Sequence, residues 1–123
     1  MTERLPVGVI GVGTMGQHHA RVYQELPSAE LVGVADVDAE AAAETAAQYG
    51  TTPTSVESLL SAAAAVSVAV PTPYHYDTAM AAIDAGAGVL IEKPIAEEPA
   101  QGRELLVAAE EAGVTLQVGH IER

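Results

Sequence analysis

The chain has 123 residues, the length of one domain; 49% of them are apolar, enough for a buried core, and the absence of cysteine excludes disulfides and thiolate metal sites. Seventeen acidic residues against five basic ones give a net charge of −12, which argues against nucleic acid and anionic membranes as partners. The polar start from Met1 to Pro6 carries no signal peptide and the apolar runs are too short to span a bilayer, so a cytoplasmic protein is expected. Acids spread over the whole chain beside a single lysine, Lys93, further predict a halophilic setting, where salt screens the self-repulsion.

In chain order, Val7–Ile10 reads as a buried strand that runs into Gly11-Val12-Gly13-Thr14-Met15-Gly16. The glycines have the spacing G-x-G-x-x-G between a strand and a helix, the entry to a dinucleotide-binding unit. Gly11 is expected to allow the tight turn, Gly13 to let a pyrophosphate approach the backbone, and Gly16 to let the helix pack close to the strand. The helix N-terminus adds N–H groups and the positive end of a dipole. Its predicted extent is Thr14 to Leu26, with Met15, His19, Val22 and Leu26 on the face toward the sheet, which makes His19 a packed histidine and leaves His18 more exposed.

A second strand, Leu31–Ala35, ends in Asp36, 20 residues after Gly16. An acid at that place can accept both hydroxyls of an adenosine ribose; it could equally cap the helix that follows. Next come an alanine-rich helix from Ala39 to Tyr49 closed by Gly50, a short edge strand at Thr51–Thr52, and a brief helix from Ser55, its N-cap, to Leu60. Ala65–Val70 is nearly all small and apolar, as suits a central parallel strand. Pro71-Thr72-Pro73 stops it, and Thr72 and His75 either cap the following helix (His75 to Ala85) or face a ligand.

Gly88–Ile91 is a strand that ends in Glu92-Lys93-Pro94. The only lysine of the chain thus stands at a strand end, where the ligand of an open parallel sheet lies, and this points to a functional role. Pro94 restricts Lys93 to an extended conformation, and a cis bond between them is one option. A helix from Pro99 to Ala112, with Leu105, Leu106, Ala109 and Ala112 inward, and a strand at Thr115–Val118 complete the pattern. Six strands alternating with five helices predict an α/β fold, a doubly wound parallel sheet.

Gly8 to Gly16 with His19 and Ala20, Val70-Pro71-Thr72 with His75, and Glu92-Lys93-Pro94 together resemble the glucose–fructose oxidoreductase / inositol dehydrogenase / rhizopine catabolism (Gfo/Idh/MocA) family of sugar dehydrogenases. The resemblance covers the whole chain in order. It implies a Rossmann fold and NAD held by Gly11, Gly13, Thr14, Met15, Gly16, Asp36, Pro71, Thr72, His75 and Glu92, with Lys93 catalytic, contacting the substrate hydroxyl and the nicotinamide ribose. It also implies a sugar or nucleotide-sugar substrate, a homo-oligomer, and a second α/β domain carrying the substrate pocket and main base. Residues 1–123 would be the cofactor domain alone, inactive by itself, with Gly119–Arg123 entering the second domain and most similar there to members acting on UDP-N-acetylhexosamines. Two other readings stand beside this one: a non-catalytic NAD-sensing module, which would need no Lys93, and a methyltransferase, which would need neither the third glycine nor Glu92-Lys93-Pro94.

Overall fold

The computed structural model describes residues 4–92 and 96–119. Lys93, Pro94 and the stretch His120–Arg123 lie outside the described residues, and with them the expectations placed on those positions. Five strands, β1 (Leu5–Ile10), β2 (Ala29–Ala35), β3 (Ala65–Val68), β4 (Gly88–Glu92) and β5 (Leu116–Gly119), form one parallel sheet in the order β2-β1-β3-β4-β5. Between them run α1 (Thr14–Glu25), α2 (Ala39–Tyr49), α3 (Val56–Ala62), α4 (His75–Asp84) and α5 (Pro99–Ala112). The chain leaves β1 toward β2, then returns past β1 to β3, so the strand order reverses between β1 and β3. A crevice opens at such a point, at the carboxyl ends of the strands.

Both faces of the sheet are covered at its centre, and neighbouring residues of β1 point into different cores. Val9 packs with Val12, Ala20, Val34 and Ala46 beneath α1 and α2. Ile10 packs with Leu59, Val66, Val68, Ile83, Ile91 and Leu105 beneath α3, α4 and α5. This explains why the strands read as continuous apolar runs instead of alternating ones. Gly8 and Gly33, paired in register across β1 and β2, make room for the buried Leu59 of α3; a Cβ on Gly8 would lie 2.5 Å from Leu59 Cδ1 and one on Gly33 3.1 Å from it. Gly50 and Gly113 close α2 and α5 in the left-handed conformation, as expected.

Three local expectations are corrected. No strand forms at Thr51–Thr52. A single parallel bridge joins Pro53 to Val34, with Val34 N–H donating to Thr52 O at 3.0 Å and Thr54 N–H to Val34 O at 2.9 Å. The segment has no room for more, because Thr51 N–H is spent on Ala46 O at the end of α2 and Ser55 already caps α3. The sheet therefore has five strands, not six, and α2 and α3 follow each other directly. The inward face of α1 is Gly16, His19 and Ala20, with Met15 and Val22 at its margin and Leu26 exposed. In α5, Gly102, Leu105 and Ala109 face the core, while Leu106 and Ala112 point outward. Among the described residues no helix is long and apolar enough to cross a membrane.

Candidate dinucleotide-binding site

A cleft of about 760 Å³ lies over the strand ends at the reversal point. Gly11 and Gly13 form one side, Asp36 and Val37 a second, and Val70, Pro71 and Tyr74 a third. Each glycine of the turn has a distinct physical situation. Gly11 has φ +98°, a conformation that side chains avoid, and a Cβ there would meet the backbone of Ala69 at 2.7 Å. A Cβ on Gly16 would run into the carbonyl of Gly11. Gly13 has open space on its Cβ side and is the N-cap of α1, with no side chain capping the helix. The first N–H groups of α1, from Thr14, Met15 and Gly16, are thereby left without intrahelical acceptors next to a concave, side-chain-free surface.

Asp36 binds the turn to the end of β2. Its Oδ2 accepts from Val12 N–H at 2.8 Å and its Oδ1 from Asp38 N–H at 2.8 Å. Helix capping belongs to Asp38, whose Oδ1 accepts from Glu40 and Ala41 N–H, so the capping alternative for Asp36 is corrected. Each carboxylate oxygen takes more than one donor, so Asp36 keeps acceptor capacity on the cleft side.

The remaining predicted residues do not all gather here. Gly11, Gly13, Asp36 and Pro71 line the cleft, whereas Thr14, Met15, Gly16, Thr72, His75 and Glu92 are not among its walls. Thr72 begins a 3-10 turn, Thr72–Tyr74, with Pro71 at its N-cap and His75 at its C-cap, and Tyr74 is the N-cap of α4; neither Thr72 nor His75 caps that helix. His75 is buried, with Nε2 2.9 Å from Val70 O, and so shapes the loop that presents Pro71 and Tyr74. Val37, Val56, Tyr74 and Thr78 are cleft residues that sequence reasoning missed. Val37 did carry a signal: an apolar residue between two acids, outside any amphipathic pattern, is fully exposed on the cleft wall.

Glu92, at the end of β4, joins a buried polar group. His19 lies fully buried on α1 with Nε2 3.2 Å from Glu92 Oε2 and Nδ1 2.8 Å from Ser67 Oγ, which is also 2.6 Å from Tyr23 OH. Burial pushes the His19 pKa below 6.5, although the hydrogen bond to Glu92 and its charge, the next largest influences, act the other way. At neutral pH the contact with Glu92 is therefore a hydrogen bond from a neutral imidazole, not an ion pair. The unfolded chain takes up this proton at higher pH than the folded one. The contribution of His19 to stability is thus complete above about pH 6.5 and is lost as pH falls through the lower folded-state pKa. Urea midpoints measured from about pH 7.5 to pH 5 should fall less steeply in His19→Gln than in the unsubstituted chain. Equal slopes would show that His19 is not the titrating group; the comparison cancels the acid-side relief of the net negative charge, which both proteins share.

Residues 5–120 match the pattern of the oxidoreductase family with an NAD-binding Rossmann fold. The chain belongs to that family. Within it, the chain is 41% identical over 117 residues to a UDP-N-acetylglucosamine 3-dehydrogenase from Acidithiobacillus ferrooxidans, a match covering 94% of this chain and 37% of the relative. An inositol 2-dehydrogenase from Saccharopolyspora erythraea is 40% identical, covering 100% of this chain and 37% of the relative. The solved structure of the Acidithiobacillus enzyme superposes with a TM-score of 0.90 at 38% identity, over 94% of this chain and 38% of that one. GenD2 from gentamicin A biosynthesis, solved in complex with NAD, gives 0.92 at 37% identity, over 97% and 35%. The chain therefore spans a little over a third of the length of these relatives. It is an NAD-binding domain of this family, and its cleft has what such a cofactor needs: an open backbone surface at Gly13 for a pyrophosphate, an uncapped helix end, and a carboxylate for ribose hydroxyls.

Proposed function

We propose that the chain is the cofactor-binding part of an NAD-dependent dehydrogenase that oxidises a secondary alcohol of a sugar or nucleotide sugar. The juxtaposition of Gly13, the uncapped end of α1 and Asp36 on one cleft carries this reading. The nicotinamide, when bound, supplies the hydride-accepting carbon. Gly13 and the first turn of α1 hold the pyrophosphate, Asp36 holds the adenosine ribose, and Glu92 marks the nicotinamide side one strand beyond β3. Lys93 follows Glu92 in sequence; in this reading it stabilises the substrate alkoxide and passes its proton on, while a residue outside these 123 acts as main base. Thr72 and His75 support the Pro71 loop from behind. The substrate pocket and the contacts of a homo-oligomer are assigned to polypeptide beyond this domain, on the strength of the partial coverage of the relatives. The acid excess supports a cytoplasmic, salt-rich setting.

The test is a fluorescence titration of the 123-residue chain with NADH and with S-adenosylmethionine, at low and at molar KCl. NADH is expected to bind, more weakly than a closed two-domain crevice would hold it, and S-adenosylmethionine is not. Salt should raise the melting temperature. Lys93→Ala should change NADH affinity by less than about threefold, or roughly 0.6 kcal/mol, because its main partner in this reading is the substrate and not the cofactor. Failure to bind NADH would overturn the cofactor assignment, and loss of binding on Lys93→Ala would make that residue a cofactor anchor instead.

A further inference from the structure

The polar group beneath Glu92 has a proton arrangement that can be worked out from its partners. A carboxylate only accepts hydrogen bonds, so the contact between Glu92 Oε2 and His19 Nε2 needs the proton on Nε2. His19 is neutral at pH 7, as burial dictates, and a neutral imidazole has one N–H, so Nδ1 is a bare acceptor. Ser67 Oγ, 2.8 Å away, must then donate to it. Having spent its one proton, Ser67 Oγ must accept at its other contact, so Tyr23 OH donates across the 2.6 Å contact. Burial keeps the Tyr23 proton in place by pushing its pKa up. All three hydrogen bonds run in one direction, from Tyr23 through Ser67 and His19 to Glu92, and no alternative ordering satisfies every atom.

We infer that His19 is a positioning residue, fixed as the Nε2–H tautomer, that holds the Glu92 carboxylate at the carboxyl edge of the sheet. Two features support this over simple core filling. His19 and Ser67 are both 0% exposed, yet each is polar and placed where Val or Ala occupies most of the core. The contact also links α1, the helix whose N-terminus faces the cleft, to the end of β4, an element it otherwise hardly touches. The Tyr23 ring stands edge-on to the imidazole, centroids 6.5 Å apart at 71°, and restrains its plane. The importance of this for binding rests on Glu92 being a cofactor contact, as read above. The hydrogen-bond order does not.

Two measurements on the 123-residue chain separate those claims. Nitrogen-15 spectra of histidine-labelled protein without cofactor, assigned by the loss of a signal in His19→Gln, should show His19 at neutral pH with a protonated Nε2 and a bare Nδ1. Glu92→Ala, which removes the acceptor from Nε2–H, should shift that balance toward a mixture of the two tautomers. A dominant Nδ1–H form or an imidazolium in the unsubstituted chain, or no change on Glu92→Ala, overturns the inference. In NADH titrations, His19→Leu should weaken binding about tenfold, the loss of one hydrogen bond to a charged group, while His19→Gln, which keeps a side-chain N–H toward Glu92, should stay within about twofold. Equal binding by His19→Leu and the unsubstituted chain would overturn the role in binding. If the unsubstituted chain binds no NADH, the cofactor reading of the cleft fails while the tautomer still decides whether His19 holds Glu92.

Discussion

Replacing Gly13 with alanine is expected to weaken NADH binding strongly in a protein that still melts close to the unsubstituted temperature, whereas Gly16→Ala should destabilise the fold itself. The two positions lie three residues apart in one motif and differ only in what surrounds the missing Cβ. Gly13 has φ −70° and ψ −162°, which any residue adopts, and no atom within 4 Å of the added methyl. Alanine is a poorer N-cap than glycine but restricts the unfolded chain, and these opposed effects leave a net change within about 1 kcal/mol. The methyl would stand on the surface that a pyrophosphate must approach, so a loss of affinity of about tenfold or more is expected. At Gly16 the obstacle is the Gly11 carbonyl, held in place by Gly11 N–H donating to Ala35 O at 2.7 Å, and backbone cannot swing aside as a side chain can. A cost of ~3 kcal/mol or more follows. Thermal melts and NADH titrations of both variants check the pair. Unchanged affinity in Gly13→Ala would place the phosphates elsewhere, and an unchanged melting temperature in Gly16→Ala would show that the turn relaxes.

The second large effect is at Asp36. NADH should bind at least tenfold more tightly than NADPH, because a 2′-phosphate would sit against Asp36 with Asp38 close by. Like unit charges about 4 Å apart repel by roughly 1 kcal/mol in water and about 4 kcal/mol near a protein surface, which brackets that factor. Asp36→Ala should erase the preference and also destabilise the domain by about 1–3 kcal/mol, chiefly because the partly buried N–H of Val12 loses its acceptor; the Asp38 N–H is exposed and can turn to water. Asp36→Asn separates the two roles: it removes the charge but keeps one acceptor oxygen, so the preference should weaken with only part of the stability loss. Equal affinity of the unsubstituted chain for both cofactors would refute the charge argument.

Much of this architecture was legible because it is local. Gly11 of the turn and the helix-closing Gly50 and Gly113 each follow from left-handed backbone conformations that few residues adopt, and Asp36 from its place at a strand end. What escaped depends on partners distant in sequence. The orientation of α1 is set by Ser67 and Glu92 reaching His19 across 48 and 73 residues, so a helical face read from apolar spacing alone was rotated toward Met15 and Leu26. Leu106 matches the apolar spacing of α5 as well as Leu105 does, and only the position of the sheet decides between them. The Thr51–Thr52 strand failed because helix closure on one side and a cap on the other compete for the same few backbone groups. Within the site, the glycines and Asp36 were readable from the chemistry they perform, but Tyr74 and Val56 reach the cleft only through the fold.

The seat of Leu59 over Gly8 and Gly33 bears on how this sequence can change over evolutionary time. The three positions belong to α3, β1 and β2 and are far apart in the chain, yet they share one volume. A larger residue on either strand is blocked while leucine is present, and a smaller residue on the helix leaves a void while both glycines remain. Neither first step is neutral, so divergence here has to proceed by paired replacements. In a lineage of such domains, the three are expected to be inherited as a block, drifting more slowly than the equally buried Val66 or Ile91, each of which can exchange with other β-branched or aliphatic residues one at a time.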